Sequence, residues 1–264
     1  MTGLWTVTKD SFLLMRRDKV FIPAIFGGII LTILANIASD WTLEEYAKVL
    51  FDLGAFGFHI IGSIVAIFWG TKAISDARSE GSLEMQVSTP ISRPVCLLGK
   101  YFGLILNLTL IAVILVAFWQ AVMLTNSYLG KMTNDQLMVF LYVYLGWCVT
   151  AAVAIFFASF CSHATALFSS FSAWLVGLTS AQIAAALAPD TPKLTRTVVE
   201  ASAWIWDFQR FNLNKYLVSY ATKLQGVELM WNAVYGLSLI ALLMTAACLI
   251  FRKRTFLSKL SINT

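Results

Sequence analysis

Six apolar runs, each about as long as a membrane is thick, set the limits on what this chain can become. They fall at about residues 20–38, 50–74, 101–124, 138–160, 164–188 and 229–251, with short polar stretches between them. A helix that crosses a bilayer needs about 20 such residues. Inside hydrocarbon every backbone polar group must find a partner within the protein, which a helix supplies by itself. Composition agrees, with 59% hydrophobic and 12% charged residues and a mean hydropathy of +0.76, where a soluble domain carries about 25% charged residues. The sequence therefore predicts an all-α polytopic membrane protein of six transmembrane helices, folded as a single domain over residues 1–264. No sizeable soluble domain fits beside six spans.

Charge placement orients the spans. If both termini share a side, that side holds Lys9, Arg16, Arg17, Lys19, Lys72, Arg78, Arg93, Lys100, Arg252, Lys253, Arg254 and Lys259 against five acids. The other side holds Lys48, Lys131, Lys193, Arg196, Arg210, Lys215 and Lys223 against nine acids. Basic residues accumulate in cytoplasmic loops, so both termini and the 75–100 loop are expected in the cytoplasm of a multi-pass plasma (inner) membrane protein. This placement also accounts for the net charge of +5 without a nucleic-acid partner.

Two polar segments carry further information. Gly3 to Met15 sets Leu4, Trp5, Val7, Phe12, Leu13 and Met15 among Thr, Lys, Asp and Ser. That pattern predicts an amphipathic N-terminal helix over residues 1–19 lying at the interface, with the start of a long first span as the alternative. Between the second and third runs, the order SDARSEGSLEMQVSTPISRPVCLLGK over 75–100 combines charges, a glycine turn and a short amphipathic stretch. This segment resembles the first cytoplasmic loop of type-two ABC transporter permeases. In that family a "G-T-L-E…P-x-S-R…G-K" segment forms a coupling helix that docks into a separate ATPase. Gly81, Ser82, Leu83, Glu84, Pro90, Ser92, Arg93, Gly99 and Lys100 stand at the matching positions, with Ser82 where Thr is usual.

The resemblance implies ATPase-coupling roles for Glu80, Gly81, Ser82, Leu83, Glu84, Pro90 and Arg93. It also implies an elbow helix at the N-terminus and short interfacial or re-entrant helices before the last span. No G-x-x-x-x-G-K-[S/T] occurs in the chain, so it has no phosphate-cradling loop of its own. The expectation is a non-catalytic subunit without cofactors of its own, with ATP and Mg²⁺ on the partner ATPase.

Other residues have both a sharp and a plain reading. His59 lies within the second span; an intramembrane ionisable group marks either a translocation path or a hydrogen-bonded packing site. His163 sits in the very short connection after Cys161, which the resemblance makes a second, smaller cytoplasmic contact. The four cysteines have no paired or metal-ligand spacing and read as small hydrophobes. In the fifth span Ala173, Gly177, Ser180, Ala181 and Ala184 form a small-residue face suited to close helix approach. The resemblance makes this the contact with a second permease subunit in a homodimer; packing within one subunit is the alternative. The 189–228 segment is rich in aromatics, including Trp204, Trp206, Phe208, Phe211, Tyr216 and Tyr220. It suits the membrane–water boundary or an extracytoplasmic partner, and its DFQRFNLNKYL resembles an element of the copper-site-maturation and gliding-motility branch. Two functions follow: an exporter driven by a separate ATPase, or a mechanical subunit acting on an extracytoplasmic partner without moving a substrate.

Overall fold

The computed structural model describes residues 2–41, 46–79, 92–125, 134–186, 192–213 and 226–253. They form helices α1 (Thr2–Arg16), α2 (Phe21–Asp40), α3 (Tyr46–Ser79), α4 (Arg93–Thr125), α5 (Asn134–Phe160), α6 (His163–Ala185), α7 (Lys193–Ile205) and α8 (Gly226–Lys253). A 3-10 turn at Phe208–Phe211 lies between α7 and the residues leading to α8, and no strand occurs among the described residues. Among the described residues six helices, α2 to α6 and α8, are long and apolar enough to span a membrane.

α3 and α5 are the core of the bundle. Their apolar windows are 67% and 78% buried, against 22% for α2 and 28% for α6 and α8. Gly62 allows the closest approach of the pair, because a Cβ there would collide with the Trp147 indole. Phe58 lies tilted against that same indole, with ring centroids 4.3 Å apart. Gly62→Val is therefore expected to lower the thermal unfolding midpoint in detergent, at a cost of about 1–3 kcal/mol from overpacking.

The outer helices turn apolar stripes outward. On α2, Ile22, Phe26, Ile30, Leu34 and Ile37 are exposed, whereas Ala24, Gly28, Thr32, Ala35 and Ser39 are buried. The outward stripe meets lipid in a membrane, where a soluble helix would carry charge.

Two boundaries differ from the sequence expectation. α3 runs on to Ser79 and α4 begins at Arg93, so both ends of the 75–100 loop are helical. α3 has 34 residues and is about 51 Å long at 1.5 Å per residue, well beyond the roughly 30 Å hydrocarbon layer. Polar residues continue a helix once it is outside lipid, and Pro94 sits in the first turn of α4, where its missing N–H costs nothing.

The N-terminal helix is a separate element and not the start of a long first span. A turn closes between α1 and α2, where Asp18 Oδ1 accepts from Val20 N at 3.1 Å and Asp18 O from Phe21 N at 3.1 Å. Val7, Thr8, Ser11 and Met15 of α1 are buried, and Trp5 and Leu14 face outward. The buried face lies on α4, where Asn107 Nδ2 donates to Phe12 O at 3.0 Å.

Candidate functional site

The end of the bundle that carries the α3–α4 connection is built around the last turns of α3. Three neighbours hold it. Lys72 Nζ pairs with Asp18 Oδ2 at 2.5 Å, tying α3 to the α1–α2 turn. Lys100, buried on α4, donates from Nζ to Ala73 O at 2.7 Å. Ser75 Oγ donates to Thr71 O and lies 3.1 Å from Nδ1 of His163, the first residue of α6. With its proton directed along the helix, the Ser75 hydroxyl is left to accept from His163 Nδ1–H.

These contacts follow from helix order. Successive spans alternate in direction, so the start of α2, the end of α3, the start of α4 and the start of α6 meet at one end. The lysine stem lies along apolar surface while its ammonium reaches a polar partner at the margin. The resulting platform ties α3 to the α1–α2 turn through Asp18–Lys72, to α4 through Lys100–Ala73 and to α6 through Ser75–His163.

Glu80, Gly81, Ser82, Leu83, Glu84 and Pro90 lie outside the described residues. Arg93 is described: it is half-buried and opens α4. Asp18 and Lys72 entered the sequence reading only as charges to be counted. The signal that could have paired them is opposite charge at the adjacent ends of consecutive spans.

His59 is 4% exposed, inside α3, with its ring centroid 6.0 Å from that of Trp174 on α6. Neither ring nitrogen has a hydrogen-bond partner among the described residues, and the same holds for Ser63 Oγ one turn further along.

At the opposite end the chain re-enters the bundle. After α7, the Trp206 indole Nε1 donates to Ala173 O at 2.7 Å and Ser180 Oγ donates to Trp206 O at 2.8 Å. Gln209 Nε2 donates to Leu178 O at 2.9 Å, and Tyr235 OH bridges Asp207 N and Ile205 O. Phe208 and Phe211 are fully buried. Phe208 fills the space a Cβ at Gly177 would take, and Phe211 lies against Gly146 and Gly236. Ala173 lies twelve residues before the end of α6 at Ala185 and Gly236 ten after the start of α8 at Gly226, about 18 Å and 15 Å from the ends at which the segment enters. The segment thus reaches deep into the bundle. Irregular backbone is tolerated at such depth when buried in protein, and here α6 and α8 satisfy it. Asp207 Oδ2 and Arg210 Nε lie 3.4 Å apart, with the guanidinium 4.9 Å from the Tyr235 ring centroid.

This placement revises two expectations. Phe208 and Phe211 pack inside the bundle and Trp206 is half-buried against α6, whereas Trp204 is 71% exposed. Tyr216 and Tyr220 lie outside the described residues. In the small-residue face of the fifth span, Gly177 and Ser180 are buried and covered by the chain's own Phe208 and Trp206. Ala173 gives its carbonyl to Trp206, and Ala181 and Ala184 are half-buried. The alternative of packing within one subunit therefore describes the Gly177–Ser180 part of the face.

A six-span helical bundle with an N-terminal elbow and a re-entrant turn before its last span defines a polytopic integral membrane protein. Residues 3–255 match the ABC-2 family transporter protein family, and the chain belongs to that family. It is a membrane permease subunit of an ABC transporter, in a family whose members are generally non-catalytic and imply an ABC ATPase partner. No curated protein matches the chain.

Proposed function

We propose that this subunit couples ATP hydrolysis on a separate ABC ATPase to export of a substrate, working as a homodimer with both termini and residues 80–91 in the cytoplasm. ATP and Mg²⁺ sit on the partner, and Glu80, Gly81, Ser82, Leu83, Glu84, Pro90 and Arg93 make the docking surface. The observation that carries this reading is the platform of Asp18–Lys72, Lys100–Ala73 and His163–Ser75 around the α3 exit. Charge complementarity at a docking loop sets partner choice, and a braced exit passes the motion on to four other helices. Ala181 and Ala184, the half-buried part of the fifth-span face, contribute to the subunit contact, and His59 lines the path once the helices part.

Cysteines placed at Ser82, Glu84 and Arg93 test the reading. In membranes that contain the ATPase they are expected to crosslink to it, with a yield that changes when ATP is added. Free labelling of all three positions with and without ATP would remove the docking assignment.

A second reading has its own observation. α7 turns Leu194, Val198, Trp204 and Ile205 outward, while the re-entrant turn beside it locks into α6 and α8. In this reading helix motion moves α7, which works on an extracytoplasmic protein without substrate crossing. ATP-dependent export by the permease–ATPase complex in vesicles decides between the two.

A further inference from the structure

We infer that the seam between α3 and α6 at His59, Ser63 and Trp174 is a water-binding site that fills when α6 draws away from α3, and that the bundle opens along this seam. This names the two helices that part where the proposed path has His59, and it holds with or without an ATPase stroke.

The first observation is a set of unpaired polar groups. His59 and Ser63 lie one turn apart on one face of α3 and are 4% and 0% exposed. A neutral imidazole and a hydroxyl each call for both a donor and an acceptor opposite them, yet neither side chain has a partner among the described residues. Trp174 Nε1, on the ring whose centroid lies 6.0 Å from that of His59, is unpartnered as well. Indole N–H groups are also unpartnered at Trp69, Trp119 and Trp147, so it is the imidazole and the hydroxyl that set this seam apart. Ser63 is the sharper sign. Other buried hydroxyls of the spans turn back on their own helix: Thr32 Oγ1 donates to Gly28 O, Thr150 Oγ1 to Gly146 O and Ser170 Oγ to Ala166 O. Ser63 does not take the equivalent bond to His59 O, so its hydroxyl is left for a partner off the helix.

Depth selects that partner. Trp174 is eleven residues beyond His163 and His59 thirteen before Lys72, about 17 Å and 20 Å from the α3–α4 connection end. Both fall near the middle of a hydrocarbon layer roughly 30 Å thick. Lipid tails offer no hydrogen bond there, and a buried donor or acceptor left unmade is costly. Water donates and accepts, and a buried water typically makes about three bonds to otherwise unpaired groups. Imidazole, hydroxyl and indole match that number.

Packing selects the seam. In the closed bundle the unpaired atoms are out of reach of solvent, so room for water comes only from separation of helices. On three sides α3 is interlocked: Trp147 of α5 fills the space beside Gly62, Trp119 of α4 that beside Gly54, and Leu31 of α2 crowds Gly57. Toward α6 the contact is the tilted pair of rings at His59 and Trp174. Parting α6 from α3 gives up that pair and satisfies three polar groups at once.

Modification of Ser63→Cys by a small water-soluble methanethiosulfonate tests this, with the full chain in lipid nanodiscs and labels counted by intact mass above the four native cysteines. The rate is expected at about 0.1–10% of that of an exposed cysteine, the usual population of a minor state. Val65→Cys, at a position 3% exposed on the same helix, is expected to stay unmodified. Adding His59→Leu to Ser63→Cys removes one group that wetting satisfies and is expected to slow modification by about 5–150-fold. Hydroxyl-radical footprinting of the unaltered protein gives a readout free of variants. Trp174 is expected to oxidise faster than the comparably buried Trp69 and Trp147. Equal oxidation of the three indoles overturns the inference. So does modification of Ser63→Cys no faster than that of Val65→Cys, or a rate that His59→Leu leaves unchanged.

Discussion

Phe208→Ala is expected to destabilise the detergent-solubilised protein by about 3–5 kcal/mol, read as a fall in the thermal unfolding midpoint. Phe208 is fully buried and occupies the space left by Gly177, with the Phe211 and Trp206 rings 6.1 Å and 5.6 Å away between centroids. Truncation leaves a cavity that cannot collapse easily, because the backbone on both sides is pinned by Trp206 to Ala173 and by Gln209 to Leu178. Gly177→Val attacks the same contact from the other side, since its added methyl groups would meet the Phe208 ring. Each single change is costly. The double variant Gly177→Val/Phe208→Ala is expected to recover part of the loss, because the new side chain fills the space the ring vacates. Additive losses in the pair would mean that the two positions do not share a contact in the native bundle.

The re-entrant turn also shows where the sequence stopped being informative. The spans were readable because a run of about 20 apolar residues has few structural alternatives in a membrane. The connection after Cys161 was readable for the same reason, since two long runs meet there with almost nothing between them. Ala173, Gly177 and Ser180 announced a close-packed face, but small residues reveal only that something approaches. The occupant is supplied from 31 positions further along the chain, where Phe208 stands. Trp206, Phe208 and Phe211 looked interfacial because aromatics at that density suit the bilayer boundary; the burial of Phe208 and Phe211 depends on glycines at 146, 177 and 236, brought together from three helices, and Trp206 is held by the Ala173 carbonyl. The loop boundaries failed for a different reason. Ser75 and Lys100 are polar, and polarity marks where hydrocarbon ends, not where a helix ends. The same limit hid Asp18–Lys72, a pair separated by 54 positions and visible in sequence only as two charges of opposite sign.

That pair and Lys100 yield the sharpest functional test, because stability and coupling are expected to part company there. Lys100→Met keeps the length and packing of a buried side chain while removing its ammonium from Ala73 O. Replacing a buried ionic group with an apolar one of similar volume is often neutral or stabilising, so the unfolding midpoint is expected to hold or rise. Asp18→Asn releases Lys72, whose side chain is 44% exposed and can be hydrated instead. With the Asp18 side chain 10% exposed, loss of this half-open pair is expected to cost about 1 kcal/mol. Both variants are thus expected to fold and to bind the ATPase. If the α3 exit transmits the ATPase stroke through these contacts, the double variant keeps basal ATP hydrolysis in the complex while ATP-driven work on the far side falls. Coupling between sites is usually worth 1–3 kcal/mol, so the fall is expected at about tenfold within a range of 5–150-fold. Retained coupling in a well-folded double variant would mean that the stroke passes through helix packing alone. In that case the α3–α5 contact at Gly62 and Trp147, and not the polar platform, carries it across the membrane.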